Sequence, residues 1–227
     1  MDVAVSGDRG CCVSEQLAPE SYLFAVATGF GRIGGEAAAP LALGKLRHEL
    51  ERRVRGVLFR RSQRRPRAVT GALSGAMACV NDELHARSAS HEDYVTAGVS
   101  MTAVLLVAQR AYLAHIGSTA AYLARDGSMM PLTKNDAFDG ERGLPILMRA
   151  LGLTPSLDLA VSAFTLFDGD ALVLAGRPLP ETSERLIVSF SGVAEPQVPA
   201  PAKAHTAQSI LTGILAAVLF YALLALR

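Results

Sequence analysis

The chain has 227 residues, with 22 basic against 21 acidic side chains and a formal charge of +1. That balance excludes a nucleic-acid binder working by bulk charge. The length suits one globular domain, or one domain with an appendage. Three cysteines, Cys11, Cys12 and Cys79, are odd in number and lack metal-ligand spacing. They read as reduced thiols.

The first ten residues are acidic early and hold no long apolar run, so they are not a signal peptide. Residues 22–27 alternate as a strand and lead into the glycine-rich stretch 29–35. A glycine-rich turn after a strand lets the backbone approach a phosphate or a metal closely. No acid, lysine or histidine stands in this one. Leu43, Leu46, Leu50 and Val54 then recur at helical spacing, which predicts a helix over about 35–54, with Pro40 in its first turn. Leu73, Met77, Val80 and Leu84 mark a second helix over about 69–88. Between the two stripes, residues 52–67 carry eight arginines.

A strand-rich region follows. Two apolar strands flank Gln109–Arg110, and a second tight turn falls at Asp126–Gly127, so residues 102–125 are expected as adjacent antiparallel strands. A short helix is expected over 146–151, stopped by Gly152. Residues 159–176 read as a strand pair joined through Asp168–Gly169–Asp170, a turn in preference to a metal loop. The five histidines show no i,i+4 pairing, and His115 reads as a core or rim residue. Ser100 and Ser118 have no base arranged beside them, and Glu92 and Asp93 read as a solvated loop. Strands, helices and strands without regular alternation predict an α+β fold with antiparallel sheets.

Residues 209–226, SILTGILAAVLFYALLAL, carry no charge. As a helix they reach about 27 Å, close to a hydrocarbon core. They have no polar face, so a transmembrane tail anchor over 209–227 is preferred to a buried core helix. The preceding 191–208 are rich in Pro and Ala and read as a linker. The expectation is a single-pass membrane protein whose domain, residues 1–190, lies on the cytoplasmic side.

The order of motifs over roughly residues 5–190 resembles the metal-dependent protein phosphatases of the 2C family (PPM type). The family's Asp-Gly-Met-Gly-Gly, then Gly-Gly-Glu, stands here as Thr28-Gly29-Phe30-Gly31-Arg32, then Gly34-Gly35-Glu36. Its vaHvGDSRaYLlRdGxLxxLTxDHS segment reads LAHIGSTAAYLARDGSMMPLTKNDAF, residues 113–138. His115, Gly117, Tyr122, Leu123, Arg125, Asp126, Gly127, Leu132 and Thr133 all match. The family's tRaLG appears as Met148-Arg149-Ala150-Leu151-Gly152, and its GDxlLLCSDGL begins at Gly169-Asp170. The resemblance implies two stacked antiparallel sheets flanked by helices. It also implies two divalent metals, Mg²⁺ or Mn²⁺, that activate water for attack on phosphoserine or phosphothreonine.

Hard divalent cations need carboxylates, and the motif positions that supply them are altered. The aspartates of three motifs read Thr28, Ser118 and Arg177, and the late Asp-Asn motif has no counterpart. Near the start, Asn-Glu-Asp reads Ser14-Glu15-Gln16, keeping Glu15 alone. Thr28, Gly29, Ser118, Arg177 and Glu15 are thus the expected positions of a degenerate metal site. No catalytic residue, no metal and no cofactor is expected. Arg177 would repel a dication by several kcal/mol at about 4 Å. With Arg32 it could instead hold a phosphate. Arg52, Arg53, Arg55, Arg60, Arg61, Arg64, Arg65 and Arg67 are candidates for lipid headgroup contact, against a plain solvated surface. RNA binding lacks the aromatic interleaving it needs. The preferred reading is a membrane-tethered pseudophosphatase acting as a binding module for a phosphoprotein, kinase or phosphatase. A divergent active phosphatase using Mg or Mn, and a structural subunit of a membrane complex, are the alternatives.

Overall fold

The computed structural model describes residues 3–7, 12–31, 35–58, 66–90, 97–139, 145–179 and 185–190. Its centre is a strand pair in long register, β3 (Ser21–Phe30) against β4 (Gly98–Val107), from Ser21↔Val107 to Phe30↔Gly98. β4 is buried along its whole length. This explains why its apolar run shows no alternation: both of its faces are covered.

Successive strand residues point to opposite faces, and the two faces of β3 enter two different cores. Leu23, Ala25 and Ala27 pack with the helices, while Phe24 and Val26 pack with the second sheet. The helices are α1 (Gly35–Leu58) and α2 (Pro66–Ser90). They pair with each other on one face of the first sheet, as expected. The stripes Leu43, Leu46, Leu50, Val54 and Leu73, Met77, Val80, Leu84 are all buried there. Each such leucine contributes about 1.5–3 kcal/mol. Both helices outrun their expected limits. α2 opens on Pro66, whose missing N–H costs nothing at a helix start. Pro40 lies inside α1, beyond the first turn expected for it. The helix continues through it because the stripe packed against the sheet outweighs one missing bond.

The first sheet has the order β10-β5-β4-β3-β2, adding β2 (Cys12–Ala18), β5 (Arg110–Ile116) and β10 (Ala160–Thr165). The second has the order β1-β12-β11-β6-β7, with β1 (Val3–Gly7), β6 (Ala120–Arg125), β7 (Ser128–Pro131), β11 (Ala171–Ala175) and β12 (Arg185–Phe190). All pairs are antiparallel. The second core lies between the sheets: Phe24, Val26, Val104, Leu106 and Leu113 meet Leu123, Leu172, Leu174, Leu186 and Val188.

Both tight turns form, β6 to β7 through Asp126 and Gly127 as expected, and β4 to β5 through Ala108 and Gln109, one residue earlier than expected because Arg110 already pairs with Val107. Asp126 and Gly127 both have positive φ, as a two-residue hairpin turn requires. Three expectations are corrected. β5 and β6 are not neighbours: the chain crosses between sheets at residues 117–119. β10 and β11 likewise lie in different sheets, so Asp168–Gly169–Asp170 turns a sheet-to-sheet corner and not a hairpin. No helix forms over 146–151. β9 (Pro145–Leu147) pairs with β8 (Ala137–Asp139), and Leu151 bridges Val99. Extended pairing satisfies those backbone groups, and one short apolar run fits helix or strand equally.

Residues 191–208 and 209–227, Glu92 and Asp93 lie outside the described residues. Among the described residues no helix is long and apolar enough to cross a membrane.

Candidate functional site

The inter-sheet face changes character at one end. Along β3 it runs Phe24, Val26, Thr28; along β4, Leu106, Val104, Thr102, Ser100; along β5, Ala111, Leu113, His115. Period-2 alternation thus collects hydroxyls and an imidazole where the apolar core stops.

Beyond them opens a cavity of ≈330 Å³ lined by Thr28, Gly29, Phe30, Ser100, Ser118, Asn135, Ala137, Leu147, Arg177 and Pro178. Four of the five expected metal-site positions, Thr28, Gly29, Ser118 and Arg177, are therefore together. Glu15 is not among them. It sits on β2 and pairs with Arg47 of α1 at 3.4 Å. Arg32 lies outside the described residues.

Thr28 donates its hydroxyl to the Gly176 carbonyl at 2.9 Å, tying β3 to the end of β11 across the sandwich. Gly29 has a different task. A Cβ there would stand 1.8 Å from the Gly35 carbonyl oxygen, so the strand end and the first residue of α1 meet backbone to backbone. That close approach is what the glycine-rich stretch provides in this chain.

Ser118 sits on the crossing between sheets. Its N–H donates to Ser100 Oγ at 3.1 Å, and the two hydroxyls are 3.2 Å apart. Gly117, with φ +97, donates its N–H to Asp136 Oδ2 at 2.9 Å. Asp136 is held in turn by Arg149 at 2.7 Å, and Arg149 also reaches Asp158 at 2.9 Å. Its bond to Asp136 holds the Arg149 guanidinium charged even more firmly than usual. Beside this loop, His115 Nε2–H donates to the Lys134 carbonyl at 2.9 Å, leaving Nδ1 to accept from the Thr102 hydroxyl at 2.9 Å. Thr102 accepts from Thr119 at 2.8 Å. Burial pushes the His115 pKa below its ordinary value, so the ring is neutral and its tautomer fixed. His115 is a core histidine, as expected.

Asn135 and Asp136 are the residues that the sequence reading passed over. The signal was present: they stand where the quoted family segment ends in Asp-His-Ser. Asp170 is used structurally. Arg125 grips it with Nε at 2.8 Å and Nη2 at 2.6 Å, and Phe167 N–H adds a third bond at 2.8 Å. Among the described residues no cluster of three His, Cys, Asp or Glu could hold a metal.

Of the expected lipid-contact arginines, Arg60, Arg61, Arg64 and Arg65 lie outside the described residues. Arg53 turns inward: its Nη2 lies 3.3 Å from Cys79 Sγ, and Nε lies 3.5 Å from Glu49. Arg52 and Arg55 are exposed, bonded to Glu49 and Glu51 at 2.6 Å each. Arg67 is exposed.

Two stacked antiparallel sheets, a helix pair on one of them, and a cavity at the edge of the sandwich define a PPM-type phosphatase fold. No family model matches the chain. Over 139 residues it is 31% identical to the serine/threonine protein phosphatase PstP of Mycobacterium tuberculosis; the match covers 60% of this chain but 25% of PstP. The structure superposes on the S. agalactiae serine/threonine phosphatase with a TM-score of 0.65 and 13% identity, over 84% of this chain and 100% of the other. It superposes on the PstP catalytic domain in complex with two manganese ions with a TM-score of 0.60 and 20% identity, over 84% and 98%. The chain is thus similar in sequence to part of a PPM-type serine/threonine phosphatase and shares the fold of the solved ones. A shared fold does not carry the activity.

The described lining residues of this cavity offer three hydroxyls, one amide and one guanidinium, and no carboxylate. That donor set does not fit a pair of divalent cations, which require anionic oxygens to offset charge and lost hydration.

Proposed function

We propose that this chain is a regulatory binding module of the PPM-type family without metal-dependent phosphatase activity. Residues 209–227 anchor it in a membrane, with the folded domain on the cytoplasmic side. It acts on a protein partner: a phosphoprotein, a kinase or an active phosphatase. One observation carries the reading. At the cavity where the resemblance puts two cations, Thr28, Ser118 and Arg177 replace carboxylates, and Arg177 brings a positive charge. Water made nucleophilic at neutral pH by bound metal has nothing there to hold the metal.

The test is hydrolysis of p-nitrophenyl phosphate and of a phosphothreonine peptide in Mn²⁺ or Mg²⁺. No turnover is expected, and no calorimetric signal for either ion at sub-millimolar concentration. Metal-dependent turnover would overturn the reading in favour of a divergent active enzyme. Isolation from detergent in fixed stoichiometry with membrane proteins, without phosphate-dependent contacts, would favour a structural subunit.

A further inference from the structure

The same cavity presents hydrogen-bond donors and keeps its acceptors engaged. Thr28 has spent its proton on Gly176. Ser100 Oγ accepts the Ser118 N–H, and the two hydroxyls stand 3.2 Å apart with either able to donate, so rotation of the Ser118 hydroxyl can turn its hydrogen toward a ligand while Ser100 donates to it. Asn135 Oδ1 accepts the Ala137 N–H at 3.0 Å, which fixes the amide and leaves its NH₂ end as donor. Arg177 is exposed and makes no hydrogen bond or ion pair among the described residues. One cation and two neutral donors therefore line a cavity with no anion among its described residues. Phe30, Leu147 and Pro178 add apolar wall beside them.

We propose that this cavity binds the phosphate monoester of a phosphorylated serine or threonine directly, through Arg177, Ser118 and Asn135, with no metal between. The inference rests on the reading that the chain does not hydrolyse such esters. Arg177 supplies the charge-assisted bonds, the strongest kind available to a phosphate. The hydroxyl and the amide saturate further oxygens. The apolar wall receives the carbon stem that carries the phosphate. A site built this way retains its ligand, because no water beside it is activated for attack.

The experiment uses the full chain in non-ionic detergent with EDTA present, and follows the anisotropy of a labelled phosphothreonine peptide. The phosphorylated peptide should bind at least about tenfold tighter than its unphosphorylated twin. Inorganic phosphate should displace it. Arg177→Gln and Asn135→Asp should each weaken binding by about tenfold or more. Arg177 is exposed, so its variant keeps the fold even if Asn135→Asp does not. Equal binding of the two peptides, no binding, or undiminished binding by Arg177→Gln overturns the proposal. Binding to phosphatidate vesicles without binding to the peptide overturns it too, since the ligand is then a lipid. Absent binding together with absent Mn²⁺-dependent turnover sinks this proposal alone. Turnover in Mn²⁺ sinks the reading beneath it.

Discussion

The Thr28 hydroxyl and the Gly176 carbonyl, 148 residues apart in the chain, are joined at 2.9 Å across the two sheets. The bond closes the sandwich at the position where the family motif carries an aspartate. A carboxylate at residue 28 would have no proton to give and would face a carbonyl oxygen. Thr28→Val should therefore cost about 1–2 kcal/mol of stability, read by chemical denaturation. Thr28→Asp should cost at least as much and confer no hydrolysis, since metal ligands act as a unit. Activity in that single variant would mean that other residues complete the metal site.

Much of this site was legible in the sequence because strand periodicity is local. Thr28, Ser118 and Arg177 were placed by motif order, and the structure brings them to one cavity. Glu15 failed because a single surviving acid carries no register of its own, and its partner is Arg47 on a helix. The sheet crossings at 117–119 and 168–170 were read as links between neighbouring strands. Glycine and aspartate mark a change of direction, but not which sheet the next strand joins. Asp136 was missed because its role, a brace for Gly117, depends on a contact distant in sequence. Asn135 is fixed by a local bond to the Ala137 N–H, but the cavity it lines is assembled from distant segments.

His115 makes stability depend on pH in a defined direction. Burial, opposed by its bond to the Lys134 carbonyl and by Asp136, lowers its pKa in the folded state. Below the unfolded value of about 6.5 the unfolded chain therefore takes up the proton first. Stability is fully present above that pH and is lost as pH falls toward the folded pKa. Denaturant titrations at pH 7.5 and 5.5, run in parallel on His115→Asn, isolate the effect. The wild type should lose more stability between the two than the variant; equal losses would remove His115 as the cause.

The Arg125–Asp170 pair should respond to acid in the opposite sense once broken. Burial raises the Asp170 pKa, but the two bonds from Arg125 and the one from Phe167 N–H outweigh it, and the net shift is downward. The intact pair thus stabilises the fold above about pH 4, and that contribution fades as pH falls further. Arg125→Ala leaves a carboxylate buried with one backbone donor and should cost about 2–3 kcal/mol at pH 7. Asp170 in that variant should take up a proton at higher pH, so the deficit should shrink on acidification. A deficit constant from pH 7 to 4 would show that the lost packing of Arg125 against Phe167, at 4.8 Å, is the larger effect.

The arginine-rich segment divides by geometry. Arg53 reaches α2 beside Cys79, and a Cβ on Gly75 would stand 2.7 Å from its Nη1, so this side chain fills a groove between the helices. Glu49, buried and ringed by Lys45, Arg52 and Arg53, has its pKa lowered first by the Arg52 bond. Arg52, Arg55 and Arg67 are exposed instead. If the domain is tethered at a bilayer, these are the described arginines able to meet anionic headgroups, at about 1 kcal/mol each near the surface. Arg52→Gln, Arg55→Gln and Arg67→Gln combined should weaken co-sedimentation with phosphatidylserine vesicles and flatten its salt dependence. Arg53→Gln should leave vesicle binding unchanged and lower thermal stability, because it removes a packed side chain and one partner of Glu49. Vesicle binding that falls equally in both variants would mean that the helix pair, not its exposed charge, makes the contact. Binding unaffected by either would leave these arginines as a solvated face.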